Sequence, residues 1–213
     1  GSYSKVNGFF NYMKKSIPVV VLLKNEFIYA MKHLLLLHGA IGAKDQLQSL
    51  ADLLKNDFIV HLFNFSGHGG KPFAAEPFSI QVFATELEEY LLTQQIQQAY
   101  VFGYSMGGYV ALAFAELYPD YMKGLFLLNS TSRADSDERK ANRDRAIVAV
   151  KQNYTAFVRM SIANLFAEEN RERLADTIEK VKEQALKTPL QGIVAALEGM
   201  KIRKDREVIL HFA

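Results

Sequence analysis

The sequence contains no cysteine. The chain therefore forms no disulfide and offers no thiolate for catalysis or metal binding. An excess of charge is also missing, since 25 Lys and Arg residues face 23 Asp and Glu residues and leave a net charge of +2 at pH 7. This balance argues against nucleic acid or an anionic membrane as a partner. We expect a cytoplasmic protein, because disulfide-free chains are typical of that compartment.

Long hydrophobic runs are absent as well. The segment IPVVVLL at 17–23 follows Lys14-Lys15 and superficially resembles a signal peptide, but Lys24 ends it without a small-residue cleavage site. No run approaches the roughly 20 residues that cross a bilayer. Hydrophobic residues still make up 49% of the 213 residues, enough for a sizeable core in one α/β domain. Residues 17–23 are thus predicted to form a buried strand.

Apolar strand patterns alternate with amphipathic helix patterns through the first two thirds of the chain. Uninterrupted apolar strands joined by helices favour a right-handed, mostly parallel sheet with flanking helices, an α/β fold. A further short strand at 27–30 would pair with 17–23 as a hairpin at the sheet edge. The other strands are predicted at 33–39, 58–65, 100–102 and 124–129, and the helices at 45–55, 78–92 and 106–118.

The pattern changes at Arg133. From there to Ala213, charged residues interleave with apolar residues at helical spacing, and no strand pattern occurs. We interpret residues 1–132 as an α/β core, with 1–32 as an N-terminal hairpin or extension. Residues 133–213 are predicted to form a helical cap on one edge of the sheet.

The segment FGYSMGG at 102–108 joins a predicted strand directly to a predicted helix. In that setting Gly-x-Ser-x-Gly forms a sharp turn that presents its serine above the sheet. Gly103 and Gly107 are needed because side chains two positions from the serine would collide, and Gly108 lets the helix pack closely. We predict that Ser105 is a nucleophile at the positive end of a helix, with the Met106 N–H facing a developing oxyanion.

An oxyanion hole needs a second donor, which the loop after an earlier strand supplies. The segment LLLLHGAIG at 34–42 is such a strand and loop, and the N–H of Ala40 is the predicted donor. The alternative, that both segments are ordinary tight turns before helices, stays open at this point. The residues predicted to line the pocket or its loop are His38, Gly39, Phe65, Tyr104 and Tyr109.

Together these segments resemble the α/β-hydrolase fold family. The resemblance implies acyl transfer through Ser105 to an acyl-enzyme that water hydrolyses, with no cofactor and with a small ester or related carbonyl compound as substrate. It rests on LLLLHGAIG (34–42), NFSGHGGKP (64–72), VFGYSMGGYVALAFAELYP (101–119) and GLFLLNSTS (124–132), and the tail 188–210 looks like the end of a cap.

The catalytic acid and histidine of that family have no counterpart at their usual places, which follow the cap. We therefore expect that the last sheet strands are missing and that this chain is cut short. A serine without its base loses most of its advantage, so the chain alone is expected to be feeble where the intact protein is active. An unfinished sheet edge would also favour self-association.

The residues present offer few substitutes for the base. In the family, the histidine at the position of His38 shapes its loop, and His33 and His61 belong to strands. Only His68 and His211 remain as candidates, one in a glycine-rich loop and one at the end of a helix.

For the acid, Asp135 follows a predicted strand at a place that a minority of family members use. The alternative is a solvated aspartate or a helix cap. A permuted arrangement, in which 17–23 precedes the acid, would make Glu26 the acid.

Other chemistries do not fit the spacing of this sequence. The glycine-rich segments at 39–44 and 67–72 lack the Ser or Thr of a phosphate-binding loop, and His61 and His68 lack metal-ligand spacing. We predict no metal site. Two alternatives to an ester hydrolase stay open. One is a lyase or carbon–carbon hydrolase of the menaquinone-pathway type, whose members commonly carry arginine where this chain has Tyr109. The other is a non-catalytic ligand-binding or signalling protein.

Overall fold

A computed structural model of the chain describes residues 19–23, 32–73 and 79–211. Within these residues, five strands form one sheet: β1 (Val19–Leu23), β2 (His33–Leu37), β3 (Ile59–Phe63), β4 (Ala99–Tyr104) and β5 (Met122–Leu128). Their order in the sheet is β1-β5-β4-β2-β3. The strands β2 to β5 are parallel to their neighbours, and β1 pairs antiparallel with β5. The predicted mostly parallel sheet is confirmed.

Helices connect the parallel strands, as the alternating pattern predicts. A 3-10 turn at Lys44–Leu47 leads into α1 (Gln48–Leu54), and α2 (Ile80–Thr93) links β3 to β4. The helix α3 (Met106–Leu117) follows β4 directly and packs against α2. Its residues from 106 to 115 are all buried, so α3 is the central element of the core. The turn that precedes its N-terminus is therefore attached to a buried helix.

The chain from 133 to 211, here called the helical segment, contains no strand among its described residues. Ser136 caps its first helix by accepting a hydrogen bond from the Arg139 N–H at 3.3 Å, a favoured arrangement for serine. A 3-10 turn at Glu207–His211 ends the segment. Its helices are α4 (Asp137–Gln152), α5 (Tyr154–Ala163), α6 (Glu168–Arg171), α7 (Ala175–Ala185) and α8 (Leu190–Ile202).

The helical segment packs on the loop that follows β3. A Cβ added to Gly192, in the first turn of α8, would lie 2.3 Å from the Gly67 carbonyl oxygen. Gly67 itself has φ +74°, a conformation that favours glycine. Two glycines therefore let α8 approach the carboxyl-end loops of the sheet, the edge where ligands bind in open α/β sheets.

The edge strand β1 pairs with β5. Val19 lies opposite Leu128 and Leu23 opposite Gly124 in an antiparallel pair. The predicted partner at 27–30 and the candidate acid Glu26 both lie outside the described residues. The C-terminal end of β1 lies beside the start of β5, the opposite end of the sheet from Ser105.

Bilayer crossing requires a helix that is both long and apolar. No helix in the described part of the chain meets that requirement.

Candidate active site

Ser105 lies between the end of β4 and the start of α3 with an unusual backbone. Its φ is 52° and its ψ is −116°, a region that costs a non-glycine residue about 1–3 kcal/mol. The Ser105 N–H donates to the Leu128 carbonyl at 2.9 Å. The Ser105 carbonyl accepts from the Ser130 hydroxyl and from the Gly108 N–H, both at 2.9 Å. These contacts with β5 and α3 hold the strained turn.

The three glycines around Ser105 are needed for steric reasons. A Cβ on Gly103 would lie 2.5 Å from the Gly107 carbonyl oxygen, and one on Gly107 would lie 2.2 Å from the Leu37 carbonyl oxygen. A Cβ on Gly108 would lie 2.2 Å from the Ser130 hydroxyl. Side chains at these positions would push α3 away from β4, from the loop after β2 and from β5.

The loop after β2 contacts the turn at Ser105. Gly39 is so close that an added Cβ would lie 3.1 Å from the Tyr104 ring and 3.4 Å from Ser105 Cβ. The Gly42 N–H donates to the Gly39 carbonyl at 3.3 Å, which closes a turn with Ala40 and Ile41 at its centre. The structure thus brings Gly39, the residue before Ala40, beside Ser105. The N–H of Met106, in the first helical turn, has no partner within α3.

His38 is fully buried and uses both ring nitrogens inside the protein. Nδ1 donates to the Gly39 carbonyl at 2.8 Å, and Nε2 accepts from the Phe65 N–H at 3.2 Å. Burial, with a smaller contribution from His68, lowers the pKa of His38 from 6.5 to about 3. His38 therefore remains a neutral link between the loops after β2 and β3, and neither nitrogen is available to Ser105.

The pKa of His38 predicts acid sensitivity of the fold. Because folding favours the neutral ring, its contribution to stability is complete above pH 6.5 and is lost as the pH falls from 6.5 toward 3. Lowering the pH to 5 is expected to remove about 2 kcal/mol through His38 alone. Urea unfolding at pH 7 and pH 5 measures this loss. The variant His38→Asn should lose less stability over the same interval, and an identical loss in both proteins would contradict the assignment.

Three of the other four histidines have contacts that do not involve Ser105. His68 is buried, donates from Nδ1 to the Ser66 carbonyl at 3.1 Å, and leaves Nε2 without a partner among the described residues. Burial lowers the pKa of His68. His61 Nε2 lies 2.9 Å from His33 Nδ1, and its Nδ1 lies 3.0 Å from the Tyr90 hydroxyl. His211 is exposed at the end of the final 3-10 turn.

Asp135 is buried, so its interpretation as a solvated aspartate is wrong, and Ser136 rather than Asp135 caps α4. Its carboxylate accepts from Arg203 Nη1 at 2.7 Å and from Arg143 Nε at 3.0 Å. Burial alone would raise the pKa of Asp135, but these two guanidinium groups hold it below its usual value. Both carboxylate oxygens are thus engaged within the helical segment, and the role of Asp135 as a catalytic acid stays a prediction.

The remaining predicted pocket residues have distinct surroundings. Phe65 is fully buried and its ring lies 4.8 Å from that of His38. Tyr104 contacts Gly39, and burial raises the pKa of its hydroxyl. Tyr109 is buried beneath the guanidinium of Arg203, whose central carbon lies 3.8 Å from the ring centre. The arrangement ties α3 to the end of the helical segment.

Three supporting residues were missed by the sequence analysis. Ser130 holds the Ser105 carbonyl, and Gln46 accepts from the Gly39 N–H at 3.3 Å. Glu86 accepts from the Ser66 N–H at 3.0 Å and from Lys71 at 3.1 Å, which fixes the loop after β3. Ser130 lies in the quoted segment 124–132, but Gln46 and Glu86 carry no motif that distinguishes them from surface residues.

The described residues contain no group of three or more His, Cys, Asp or Glu side chains arranged to hold a metal ion.

Comparisons with known proteins identify the fold. The sequence model of the alpha/beta hydrolase fold family matches residues 32–175. The chain is 33% identical over 109 residues to a pimeloyl-[acyl-carrier protein] methyl ester esterase of Neisseria meningitidis serogroup A, a match that covers 51% of this chain and 33% of that protein. It is 27% identical over 172 residues to a putative 2-succinyl-6-hydroxy-2,4-cyclohexadiene-1-carboxylate synthase of Bacillus subtilis, covering 77% of this chain and 62% of that protein.

The structure is also similar to solved structures. It superposes on a thermophilic esterase from Thermogutta terrifontis with a TM-score of 0.76 and 26% identity, covering 89% of this chain and 68% of that chain. The sheet order, the sharp turn at Ser105 and the family match agree. The chain belongs to the α/β-hydrolase fold family.

Proposed function

We propose that the protein is an esterase-type hydrolase that acts on small apolar esters through Ser105. The observation that carries the proposal is the backbone of Ser105, with φ 52° and ψ −116°, held by β5 and α3. Strain of this kind in a non-glycine residue concentrates at functional sites. The esterases among the similar proteins support the same reaction class.

In the proposed mechanism, Ser105 Oγ attacks the carbonyl carbon of the ester while its proton passes to a base. The carbonyl oxygen becomes an oxyanion that accepts hydrogen bonds from the N–H groups of Met106 and Ala40, and the positive end of α3 adds to this stabilisation. The alcohol leaves with a proton. Water then hydrolyses the acyl-enzyme and restores the Ser105 hydroxyl.

In this proposal neither His38 nor His61 is the base. Both nitrogens of His38 are engaged, with the Gly39 carbonyl and the Phe65 N–H, and both nitrogens of His61 are engaged, with His33 and Tyr90. We propose that a residue outside this 213-residue chain supplies the base, so the activity is to be measured on the full-length natural protein.

The helical segment acts as a cap in this proposal. The contact between Gly192 and Gly67 supports this role, because it holds α8 against a loop at the carboxyl end of the sheet. The buried pair of Asp135 and Arg203 supports it too, since it joins the start of the segment to its end.

Hydrolysis of p-nitrophenyl esters by the full-length protein tests the reaction class. Acetate and butyrate esters are expected to be hydrolysed with higher kcat/KM than the laurate ester, because the proposed substrate is small. Hydrolysis of none of the three esters would contradict the proposal.

A second candidate is a lyase of the kind that the Bacillus subtilis relative represents, and the length of that match favours it. Tyr109 argues against a lyase, since menaquinone-pathway members commonly carry arginine at this position. Ester turnover in the first assay separates the two, because a lyase of this kind would not release p-nitrophenol through an acyl-enzyme.

A further inference from the structure

The turn after β2 contains a second strained residue. Ile41 has φ +61°, and a β-branched side chain is a true outlier in the left-handed region. Ile41 lies at the third position of the turn from Gly39 to Gly42, where turns with a positive φ ordinarily take glycine. An outlier of this kind persists only when its surroundings hold it in place.

The side chain of Ile41 supplies one of the constraints. It is 8% exposed and belongs to the main hydrophobic core. If φ at Ile41 became negative, the side chain would point elsewhere and leave this buried site. Burial of the isoleucine side chain therefore opposes relaxation of the backbone.

Hydrogen bonds hold the first half of the turn. The Gly39 carbonyl accepts from His38 Nδ1 at 2.8 Å and from the Gly42 N–H at 3.3 Å. The Gly39 N–H donates to Gln46 Oε1 at 3.3 Å. Within the described part of the chain, the N–H groups of Ala40 and Ile41 donate to no protein acceptor. The turn thus leaves two N–H donors unpaired directly after Gly39, the residue that adjoins Ser105.

We propose that Ile41 is a positioning residue for the oxyanion donor. Its buried side chain locks the turn in the strained form that keeps the Ala40 N–H free and beside Ser105. Glycine at this position would remove both the strain and the anchor, so the turn would sample several conformations. This inference rests on the proposed function for its effect on reactivity, but its effect on the order of the turn is independent of that function.

Gln95 provides a matched control. It also has a positive φ, at +55°, but it is exposed in the loop after α2. Gln95→Gly therefore removes a comparable backbone strain without touching the core or the loop beside Ser105. Ile41→Val keeps the β-branched anchor and tests whether the anchor rather than the residue identity matters.

The test measures the rate at which a fluorophosphonate labels Ser105 in the full-length protein. Loss of one oxyanion donor lowers rates by roughly 10²–10³, so Ile41→Gly is expected to slow labelling by about 10-fold or more. Ile41→Val and Gln95→Gly should stay within about twofold of the unmodified protein. Labelling of Ile41→Gly at the unmodified rate would overturn the proposal.

Backbone order of Ala40, measured by ¹⁵N relaxation, gives the second readout. The order parameter is expected to be near about 0.85 in the unmodified protein and below about 0.6 in Ile41→Gly. If the unmodified protein is not labelled at all, the proposed function fails, and this measurement alone decides the role of Ile41. Loss of order in Ile41→Gly but not in Ile41→Val supports it, and unchanged order in both overturns it.

Discussion

Replacement of Ser105 by alanine is expected to lower ester hydrolysis by the full-length protein by a factor on the order of 10⁶. The change removes the attacking oxygen and leaves the surrounding backbone in place. The remaining rate acceleration comes from the oxyanion donors, which stabilise the direct attack of water on the ester. It is much smaller than the acceleration through the serine. The measurement is kcat/KM for a p-nitrophenyl ester, together with the midpoint of thermal unfolding.

Ser130→Ala is the matched control for this experiment. Ser130 is a neighbouring hydroxyl that donates to the Ser105 carbonyl at 2.9 Å but has no proposed part in the chemistry. Its loss removes one hydrogen bond, about 1 kcal/mol, so we expect a small drop in stability and a change in rate of less than about tenfold. If Ser105→Ala keeps more activity than Ser130→Ala, Ser105 is not the nucleophile.

Replacement of Asp135 by alanine is expected to lower the free energy of unfolding by about 3–5 kcal/mol. The side chain of Arg203 is 2% exposed and its partner carboxylate is fully buried, so the change leaves a guanidinium group buried without its counter-charge. Arg203 also donates to the carbonyls of Met200 and Arg133 at 2.8 Å. Urea unfolding measures the loss.

The control for Asp135 is an ion pair at the surface. Arg159 and Glu179 lie 2.6 Å apart with side chains 41% and 49% exposed, so Glu179→Gln should leave the free energy of unfolding nearly unchanged. The experiment also separates two roles of Asp135. If Asp135 holds the two ends of the helical segment together, its replacement causes a large loss of stability. If Asp135 is a catalytic acid, the protein stays stable and only its activity is lost. The second result would contradict the structural role of Asp135.

The turn at Ser105 could be predicted from sequence because its requirements are local. A side chain on Gly103, Gly107 or Gly108 would collide with atoms of the turn itself or of the segments packed against it. The parallel strands and their helices were predicted for a similar reason, since periodicity reports which faces are buried. Their observed bounds differ from the predicted ones by a few residues.

Contacts between distant parts of the chain could not be predicted. The pair of Asp135 and Arg203 joins residues 68 positions apart, and both look like surface charges in a segment rich in charges. β1 pairs with β5, and this pairing depends on which edge of the sheet is open. The apolar pattern of β1 does not specify that edge.

The strain at Ile41 was missed for a different reason. Sequence analysis infers a left-handed residue from glycine, and isoleucine gives the opposite indication. Its conformation is imposed by the core beneath it and by the hydrogen bonds of His38 and Gln46. The assignment of Ala40 as an oxyanion donor stays a prediction, which the order of strand, histidine and glycine in the sequence suggests.

Activation of Ser105 as a nucleophile is the proposal on which the mechanism depends. Its most direct test is reaction of the full-length protein with a fluorophosphonate, followed by proteolysis and mass spectrometry. We predict a single phosphonyl adduct on the peptide that contains Ser105, and no adduct in Ser105→Ala. Absence of an adduct from the unmodified protein, or an adduct on another residue that persists in Ser105→Ala, would contradict the account.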